Sequence, residues 1–455
     1  MANFDPKIFK AYDIRATYPD TLNEKGVYEI VQSFAKFLDY KGPFVLGRDV
    51  RTTGQPQESN AARQAFIDAG VDVIDVGIIS TDMLYFAVSK YNAGGGLSIT
   101  ASHNPREYTG MKMVREKSTA ISSDTGLMTI RDLAIAHTAY KAEKPGAVTN
   151  KDIWDDYTAH NLTFIDAAKL KLLKLMLSGN FGMAVVAAKK AIAAGKLPVQ
   201  VVATLDGDPN GDFPKGRPDP MIPERQVEAS ALVKSSGADL GVAWDGDADR
   251  CFFCDEKGNF AEGYYVTALL AEYLLKKNPG ATIISENRLV WAVRDTVEKN
   301  GGKYIMMKPG HAFFKDRMRK EDALFAGEMS AHYYFHDNYY ADSGMIPFLL
   351  MLELLSTSGK TMSELLAPYR EHYPISGEIN FTIEKKDELI AAIQEKYKDG
   401  KLDFTDGVSS EFPDWRLNLR KSNTEPLVRL NIEAKTAGLV AEKVKEVSAF
   451  IQTYQ

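Results

Sequence analysis

The stretch Leu97-Ser98-Ile99-Thr100-Ala101-Ser102-His103-Asn104-Pro105 is the part of this sequence around which the rest is organised. Three glycines at 94–96 lead into a short apolar run, which ends at a Ser-His-Asn-Pro turn. Because proline cannot donate to a sheet ladder, the pattern predicts a strand that ends in a tight, exposed loop. The loop presents the Ser102 hydroxyl beside the His103 imidazole, as a nucleophile would require. The alternative is that Ser102 and Asn104 only hydrogen-bond the turn.

The length and composition predict a globular protein of several domains. A chain of 455 residues is too long to fold around a single hydrophobic core. Its content of hydrophobic residues, 45%, is ordinary for a globular protein. Cys251 and Cys254 lie in one predicted strand with an offset that points them to opposite faces, so buried structural thiols are expected rather than a disulfide. The absence of a signal-peptide pattern or membrane-length apolar run predicts a cytoplasmic location. A formal net charge of -6 gives no sign of nucleic-acid binding.

Apolar runs of strand length alternate with amphipathic helical stretches through most of the chain, and this alternation is typical of α/β units. From about residue 373 the pattern changes to that of antiparallel strands with helices. We therefore predict three similar α/β domains with mixed sheets, at residues 1–148, 149–251 and 252–368, and a C-terminal α+β domain at 369–455. One functional loop from each α/β unit would lie around a central cleft.

The loop Asp245-Gly246-Asp247-Ala248-Asp249-Arg250 directly follows a predicted strand at 240–244. Carboxylates at alternate positions can converge on one hard cation, and three of them leave room for waters and a phosphate oxygen, which favours Mg²⁺. Without a cation, such a cluster would repel itself. A calcium EF-hand is excluded because Arg250 stands at the required glycine and an apolar strand follows. A solvated acidic turn remains the alternative.

Two later loops carry groups that suit a sugar phosphate. The loop from Gly327 to His332 contains Glu328 and Ser330, an acceptor and a donor for vicinal sugar hydroxyls. The loop from Arg420 to Pro426, followed by Arg429, combines cations, hydroxyls and an amide, which are the groups that bind a phosphate dianion. For each loop the alternative is an ordinary surface turn.

With these loops in this order, the chain resembles the α-D-phosphohexomutase superfamily and, within it, the bacterial phosphomannomutase/phosphoglucomutase type. The resemblance begins at Ala11-Tyr12-Asp13-Ile14-Arg15 and continues through the four loops described above. It implies four domains around a deep cleft and reversible conversion of mannose 6-phosphate to mannose 1-phosphate, with glucose phosphates as further substrates. It also implies a phosphoserine, Mg²⁺ and a bound hexose 1,6-bisphosphate intermediate.

The resemblance implies a role for each matched residue. Ser102 would be the phosphoserine, and Asp245, Asp247 and Asp249 would hold Mg²⁺ together with one oxygen of that phosphate. The other catalytic candidates are Arg15, Lys112 and His311, although His311 could instead be a surface residue. The substrate-binding candidates are Tyr12, His103, Arg250, Arg288, Glu328, Ser330, His332, Arg420, Ser422, Asn423, Thr424 and Arg429. His103 is expected to contact phosphate rather than act as a base, because adjacent residues are poorly aimed at each other.

Other functions remain open at this point. A glucose or glucosamine phosphate mutase would use the same loops, and a single loop does not show which sugar the protein prefers. A metal-dependent sugar phosphatase would use Ser102 as a transient nucleophile, but the Arg420 loop would then be idle. A non-catalytic sugar-phosphate binder would need no nucleophile beside a metal loop. The expected partner is a phosphohexose, with no nucleic acid or membrane, and the chain is expected to be a monomer or weak dimer.

Overall fold

Strands and helices alternate along most of the chain in the computed structural model, which describes residues 3–422 and 427–454. Asn423 and Thr424 lie outside the described residues. The first 150 residues contain strands β1 (Ile14–Thr17), β2 (Phe44–Arg48), β3 (Val73–Ile78), β4 (Gly95–Ile99), β5 (Tyr108–Arg115), β6 (Thr119–Ala120) and β7 (Val148–Asn150). Their helices are α1 (Glu24–Phe37), α2 (Gln55–Asp68), α3 (Thr81–Lys90) and α4 (Met128–Ile135).

The elements of the next two stretches follow the same alternation. Between residues 151 and 261 lie α5 (Trp154–Leu162), β8 (Leu173–Ser178), α6 (Ala184–Ala194), β9 (Val199–Leu205), α7 (Pro223–Ser236), β10 (Leu240–Trp244) and β11 (Cys251–Cys254). Between 262 and 372 lie α8 (Gly263–Lys277), β12 (Thr282–Glu286), α9 (Trp291–Lys299), β13 (Lys303–Met307), α10 (His311–Glu321), β14 (Phe325–Gly327), β15 (Tyr333–Phe335), β16 (Ala341–Asp342), α11 (Met345–Ser358) and α12 (Met362–His372).

The last stretch is a sheet with two helices. Its elements are β17 (Ile379–Thr382), α13 (Lys386–Lys396), β18 (Lys401–Asp403), β19 (Val408–Glu411), β20 (Trp415–Lys421), β21 (Leu427–Ala434) and α14 (Ala437–Gln452). The strand order is β17-β21-β20-β19-β18, and every neighbouring pair is antiparallel. Alternate residues such as Leu417, Leu419, Leu430 and Ile432 point into one buried core against the helices.

By its internal contacts the chain divides into two compact units. The first unit comprises the residues up to 261 together with 310–320 and 331–362, and the second comprises 262–309, 321–330 and the residues from 363 onward. In the first unit, one sheet has the order β1-β5-β4-β2-β3-β7, in which β4, β2, β3 and β7 are parallel and β5 runs antiparallel to both of its neighbours, β4 and β1. The predicted mixed sheet is confirmed there.

The glycines before the Ser102 loop are required by close packing. A Cβ at Gly96 would lie 2.4 Å from Val88 Cγ2 and 3.0 Å from Leu84 Cδ1 of α3, so a larger residue would push that helix off the sheet. The central strands β2 and β4 are buried along nearly their whole length, as strands with helices on both faces are. This packing fixes the end of β4, from which the Ser102 loop emerges.

A second sheet of the first unit has the order β11-β10-β8-β9, with β10, β8 and β9 parallel and β11 antiparallel. The predicted acidic loop joins β10 to β11 as a hairpin. Cys251 and Cys254 on β11 are both buried and free, as predicted. In the second unit β13, β12 and β14 are parallel neighbours. The predicted fold class, α/β with a C-terminal antiparallel sheet and helices, is confirmed.

One buried carboxyl group in the first unit has no ionic partner among the described residues. Glu58 on α2 is 0% exposed, and its Oε2 accepts a hydrogen bond of 2.6 Å from the Thr109 hydroxyl. Its Oε1 accepts no hydrogen bond from the described residues. Burial raises the pKa of Glu58 to about 8, so the group is largely neutral at pH 7.

Among the helices of the described residues, none combines the length and apolar character that a membrane crossing requires. The most apolar of them, α11, is buried within the first unit along most of its length. Trp244 at the end of β10 donates a hydrogen bond of 2.7 Å from its indole to the Gly344 carbonyl, just before α11 begins. This helix is therefore core structure that supports the strand before the acidic loop.

Candidate active site

Ser102 lies on the loop after β4 in a strained backbone conformation. Its φ is +52°, in the left-handed region that costs a non-glycine residue about 1–2 kcal/mol. Only 3% of Ser102 is exposed, so the prediction that an exposed loop presents it is wrong. The reason is that Arg51 and the acidic loop cover it: Arg51 donates to the Ser102 carbonyl over 2.8 Å, and a Cβ at Gly246 would lie 2.9 Å from that same oxygen.

The hydroxyl of Ser102 is within hydrogen-bonding distance of its neighbour. Ser102 Oγ lies 3.0 Å from Nδ1 of His103, so the expectation that this imidazole is poorly aimed at the serine is wrong. The left-handed turn at Ser102 bends the chain back and brings the two side chains together. Burial and the nearby charges of Arg250, Arg15 and Arg217 hold the pKa of His103 well below its usual range, so the ring is neutral at pH 7.

The acidic loop curls so that its three carboxylates converge. Asp245, Asp247 and Asp249 are each at most 1% exposed, and one oxygen of each lies within 4.8 Å of the others. Gly246 allows the loop to run against the Ser102 peptide and against Pro218, whose carbonyl accepts the Gly246 N–H over 3.1 Å. The structure therefore brings the predicted nucleophile loop and the predicted metal loop into contact within the first unit.

Two cations neutralise much of the charge of this loop. Lys112 Nζ lies 2.7 Å from Asp247 Oδ2 and also donates to Asp249, and Arg250 Nε donates to Asp245 Oδ2 over 2.9 Å. Although burial opposes its charged form, Asp247 and Asp249 raise the pKa of Lys112. Side chains of the protein therefore neutralise these carboxylates as well as any cation that they bind. Lys112 and Arg250 were both candidates from the resemblance, and Lys112 reaches the loop from β5, which is distant in the sequence.

The carboxylates nevertheless retain capacity for a cation. Oδ1 of Asp247 and Oδ1 of Asp249 are buried and accept no hydrogen bond from the described residues, although His332 Nε2 lies 3.5 Å from the latter. Buried carboxylate oxygens without donors are costly unless a cation meets them. Together with the carboxylate of Asp245, these two groups form an all-oxygen donor set of the kind that Mg²⁺ prefers, so the three residues fit that ion.

The remaining predicted residues of the first unit lie on three segments near these loops. Arg15 on β1 pairs with Asp13 at 2.7 Å and donates to the Asn104 side chain over 3.3 Å, which ties β1 to the Ser102 loop. His311 is the first residue of α10, not part of a loop, because the helix begins directly after Gly310. Its ring centroid lies 4.6 Å from that of Tyr12, and its ring nitrogens are buried.

His332 continues the group on the other side of the acidic loop. A backbone bridge pairs it with Arg250, and its Nε2 faces Asp249. Asp342 on β16 has an oxygen within 4.8 Å of a carboxylate oxygen of Asp249 and of a ring nitrogen of His332, and it forms a fully buried ion pair of 2.6 Å with Lys315. Sequence reasoning missed this pair because nothing in either local pattern marks it, and the two residues meet only in the fold.

The second unit gathers the predicted arginines around one carboxylate. Glu378 accepts from Arg288 Nη1 over 2.9 Å, from Arg429 Nη1 over 3.2 Å and from Arg420 Nη2 over 3.4 Å. Although burial opposes it, the three guanidinium groups hold the pKa of Glu378 below its usual range. Arg420 and Arg429 face each other across β20 and β21 in the sheet register. Guanidinium groups are the donors that proteins use to bind phosphate and carboxylate groups.

The other predicted binding residues of the second unit lie close to this group. Arg288 pairs bidentately with Glu286 at 2.5 and 2.6 Å, and the charge of Glu328, which follows β14, acts on both of them. Ser330 is half-buried, and Ser422 is buried, with its N–H donating to the Leu427 carbonyl over 2.8 Å. Sequence reasoning missed Glu378, which lies between the predicted loops without a motif of its own.

A buried serine against a carboxylate loop that fits Mg²⁺, together with a cluster of arginines in the second unit, is the set of groups that enzymes acting on phosphate esters use. Four family models match the chain in order. Domains I, II and III of the phosphoglucomutase/phosphomannomutase α/β/α models match residues 6–140, 155–258 and 262–373, and the C-terminal domain model matches 378–449. The chain belongs to the phosphoglucomutase/phosphomannomutase family, and it is an isomerase of the phosphohexomutase type.

Full-length relatives agree with this assignment. The chain is 44% identical over 448 residues to a protein of Xanthomonas campestris pv. campestris described as phosphohexose mutases, covering 98% of this chain and 99% of the relative. It is 45% identical over 437 residues to a phosphomannomutase of Escherichia coli K12, covering 94% of each. A crystal structure of a family protein from Burkholderia thailandensis superposes with a TM-score of 0.88 at 29% identity, covering 99% of this chain and 98% of that one.

Proposed function

We propose that the chain interconverts mannose 6-phosphate and mannose 1-phosphate through a phosphoserine at Ser102. The observation that carries this proposal is the buried contact between the Ser102 loop and the acidic loop in the first unit. The substrate comes from the relatives, since the Escherichia coli protein that covers 94% of the chain is a phosphomannomutase. A sugar phosphatase is not favoured, because these full-length relatives are mutases.

In the proposed reaction, phosphoserine 102 donates its phosphoryl group to the free hydroxyl of the bound hexose phosphate. The bond between Ser102 Oγ and phosphorus breaks, a bond from the sugar oxygen to phosphorus forms, and the hydroxyl proton passes to a base. The resulting hexose 1,6-bisphosphate turns end for end. Its other phosphoryl group then returns to Ser102 Oγ: the bond from that sugar oxygen to phosphorus breaks, the bond from Oγ to phosphorus forms, and the freed sugar oxygen takes a proton from the protonated base. No phosphate is consumed, and the product carries its phosphate on the other carbon.

The residues of the first unit would stabilise the charge of this transfer. Asp245, Asp247 and Asp249 would hold Mg²⁺, which when bound supplies positive charge beside the transferring phosphoryl group. Arg15 and the neutral His103 would orient the oxygens of the phosphoserine. His311 and His332 are the proposed proton carriers, since their ring nitrogens are buried in this unit or face the acidic loop. Lys112, which the carboxylates keep charged, would contribute positive charge to the site.

The residues of the second unit would bind the sugar phosphate. Arg288, Arg420 and Arg429 would hold the phosphate group that is not being transferred, displacing part of their contact with Glu378. Glu328 and Ser330 would accept from and donate to ring hydroxyls. Tyr12, Arg250, Ser422, Asn423 and Thr424 complete the proposed substrate contacts. We also propose a hexose 1,6-bisphosphate as activator, because it can supply the first phosphoryl group to Ser102.

The proposal extends to the setting in which the enzyme works. Two buried cysteines without a disulfide are typical of a reducing compartment, which supports a cytoplasmic location. A monomer or weak dimer is the proposed assembly, and sedimentation across a range of concentrations tests it: a tight dimer at nanomolar protein would contradict it.

Substrate preference is the part that most needs a direct test. We would compare kcat/KM for mannose 1-phosphate, glucose 1-phosphate and glucosamine 1-phosphate, each with Mg²⁺ and a trace of the matching 1,6-bisphosphate. The proposal expects mannose 1-phosphate to be used well, with glucose 1-phosphate as a further substrate. A clear preference for glucosamine 1-phosphate would overturn the mannose assignment. Release of inorganic phosphate faster than isomerisation would instead indicate a phosphatase.

A further inference from the structure

Arg51 is a buried cation that the proposed reaction does not use. It follows β2, its side chain is 0% exposed, and no motif in the sequence singles it out. Its guanidinium donates to three backbone carbonyls of the Ser102 loop: Nη1 to that of Pro105 over 2.6 Å, and Nη2 to those of Ser102 and Asn104 over 2.8 and 2.7 Å. The whole turn after β4 is therefore held from one side by one residue.

The other side of the same turn is held by Asp49. Its Oδ2 accepts from the Thr100 hydroxyl over 2.7 Å and from Arg51 Nε over 3.3 Å, and its Oδ1 accepts the Arg51 backbone N–H over 2.9 Å. The Thr100 oxygen in turn accepts the Ser102 N–H over 2.9 Å. Both peptide groups that flank Ser102 are thus held by the Asp49–Arg51 pair. The Ser102 carbonyl bonds to Arg51 directly, and the Ser102 N–H is linked to Asp49 through the Thr100 hydroxyl.

We propose that Asp49, Arg51 and Thr100 form a clamp that aims the Ser102 oxygen for phosphoryl transfer, which makes them positioning residues of this reaction. Ser102 needs such a clamp because its φ of +52° is unfavourable for a residue with a side chain. If both flanking peptides were released, the backbone would relax toward an extended conformation and Oγ would point elsewhere. This inference rests on the proposed function, since it assigns the aim of a nucleophile.

The chemistry of the clamp requires arginine at position 51. The guanidinium serves three carbonyl oxygens and one carboxylate with a planar set of donors, whereas a lysine ammonium has only three donors at one point. The face of the guanidinium also lies over the Phe213 ring, 4.7 Å from its centroid, and the Arg51 backbone bridges to Gly211. The clamp is therefore braced by the loop that also carries Pro218, the neighbour of the acidic loop.

Two sets of variants test the clamp. Arg51→Lys keeps the charge, but its ammonium cannot reach all four acceptors. We expect it to lower kcat by about 100-fold, because a small misplacement of a reacting atom has an effect of that size on the rate. KM for mannose 1-phosphate should change by less than about 3-fold. Thr100→Val is isosteric but lacks the hydroxyl, and it should lower kcat by about 10-fold or more. Thr100→Ser keeps the hydroxyl and should restore kcat. Arg63→Lys, whose ion pair with Asp75 lies away from the loop, is the matched control.

A readout that does not depend on turnover accompanies the kinetics. Hydrogen exchange of a peptide spanning residues 98–107 should speed up in Arg51→Lys and in Thr100→Val, and should match the wild type in Thr100→Ser. The extent of Ser102 phosphorylation by mannose 1,6-bisphosphate, measured by intact mass, is recorded for every variant. A lower melting temperature with unchanged kcat would show a merely structural role and would overturn the proposal.

The outcomes separate the clamp from the proposed function. If wild-type Ser102 takes up a phosphoryl group but Arg51→Lys and Thr100→Val turn over within about 3-fold of it, the clamp is refuted and the mutase reaction stands. If the wild type takes up none, the proposed function fails, and the exchange data alone then decide whether the clamp holds the loop. If Arg51→Lys does not fold, the Thr100→Val and Thr100→Ser pair decides.

Discussion

Replacing Lys112 with methionine tests the electrostatics of the centre most severely. Lys112 is 4% exposed and its ammonium contacts both Asp247 and Asp249. Removing one partner of a buried ion pair leaves uncompensated charge and costs about 3–5 kcal/mol. For a unit of this size each kcal/mol lowers the melting temperature by roughly 2–4 °C, so Lys112→Met should lower the first melting transition by about 10 °C in EDTA.

Mg²⁺ should then stabilise the variant more than the wild type. The ion and the Lys112 ammonium neutralise the same carboxylates, so a cluster without the lysine gains more when the ion binds. We would measure melting by differential scanning calorimetry in EDTA and at several Mg²⁺ concentrations. Lys25→Met, at an exposed position of α1, is the control and should melt like the wild type.

Two results would refute this reasoning. One is a melting temperature in EDTA within about 1 °C of the wild type, which would mean that the carboxylates do not depend on Lys112 for neutralisation. The other is an equal Mg²⁺-induced gain in the wild type and the variant, which would mean that the ion binds elsewhere. Turnover should also fall in the variant, because Lys112 is the cation that approaches Asp247 and Asp249 most closely among the described residues.

Three further predictions follow. Arg420→Gln should raise KM for mannose 1-phosphate by about 10–100-fold with a smaller effect on kcat, because a charged hydrogen bond to the substrate is lost. Steady-state kinetics measure this, with Lys435→Gln as the control, and an unchanged KM would contradict it. EDTA should abolish turnover and added Mg²⁺ should restore it; full activity in EDTA would separate the acidic loop from a metal. Burial raises the pKa of Glu58 to about 8, so this carboxyl group ionises at lower pH in the unfolded chain, and the free energy of unfolding falls as pH rises from about 4.5 to 8. Urea unfolding at several pH values should show a shallower fall in Glu58→Gln than in the wild type. Equal slopes of unfolding free energy against pH would contradict this.

The control for the last of these is Glu116→Gln, an exposed position of the same unit, which should keep the wild-type pH dependence. Below pH 4.5 Glu58 is protonated in both states and contributes no pH dependence. Above pH 8 it is ionised in both states, and its full penalty, at most about 5 kcal/mol, is present. The variant should therefore differ from the wild type mainly between these limits.

The local patterns of the sequence predicted the loops but not what surrounds them. The Ser102 loop and the Asp245 to Arg250 loop each follow a strand with a recognisable end, so their positions could be predicted from the sequence, whereas their proposed roles came from the resemblance. The burial of Ser102 could not be predicted from the sequence, because it depends on Arg51 and Gly246, which lie 51 and 144 residues away in the chain. Contacts at such separations leave no periodic signal.

Neutralisation of the acidic loop shows the same limit. The spacing of the three carboxylates indicated only that they would repel each other without a cation. Lys112, a candidate from the resemblance alone, meets Asp247 and Asp249 across 135 and 137 residues. Glu378 likewise meets Arg288 and Arg429 only through the fold of the second unit. The similarity to a family singled out these loops in advance, whereas supporting residues such as Arg51 and Glu378 became visible only with the structure.

The most direct test of the account is the covalent state of Ser102. Wild-type enzyme would be incubated with Mg²⁺ and mannose 1,6-bisphosphate, and intact mass with peptide mapping would locate any phosphoryl group. The account predicts one phosphoryl group on Ser102, its loss to mannose 1-phosphate or mannose 6-phosphate on mixing, and none on Ser102→Ala, which should be folded and inactive. A wild type that isomerises mannose phosphates without ever carrying a phosphoryl group on Ser102 would contradict it.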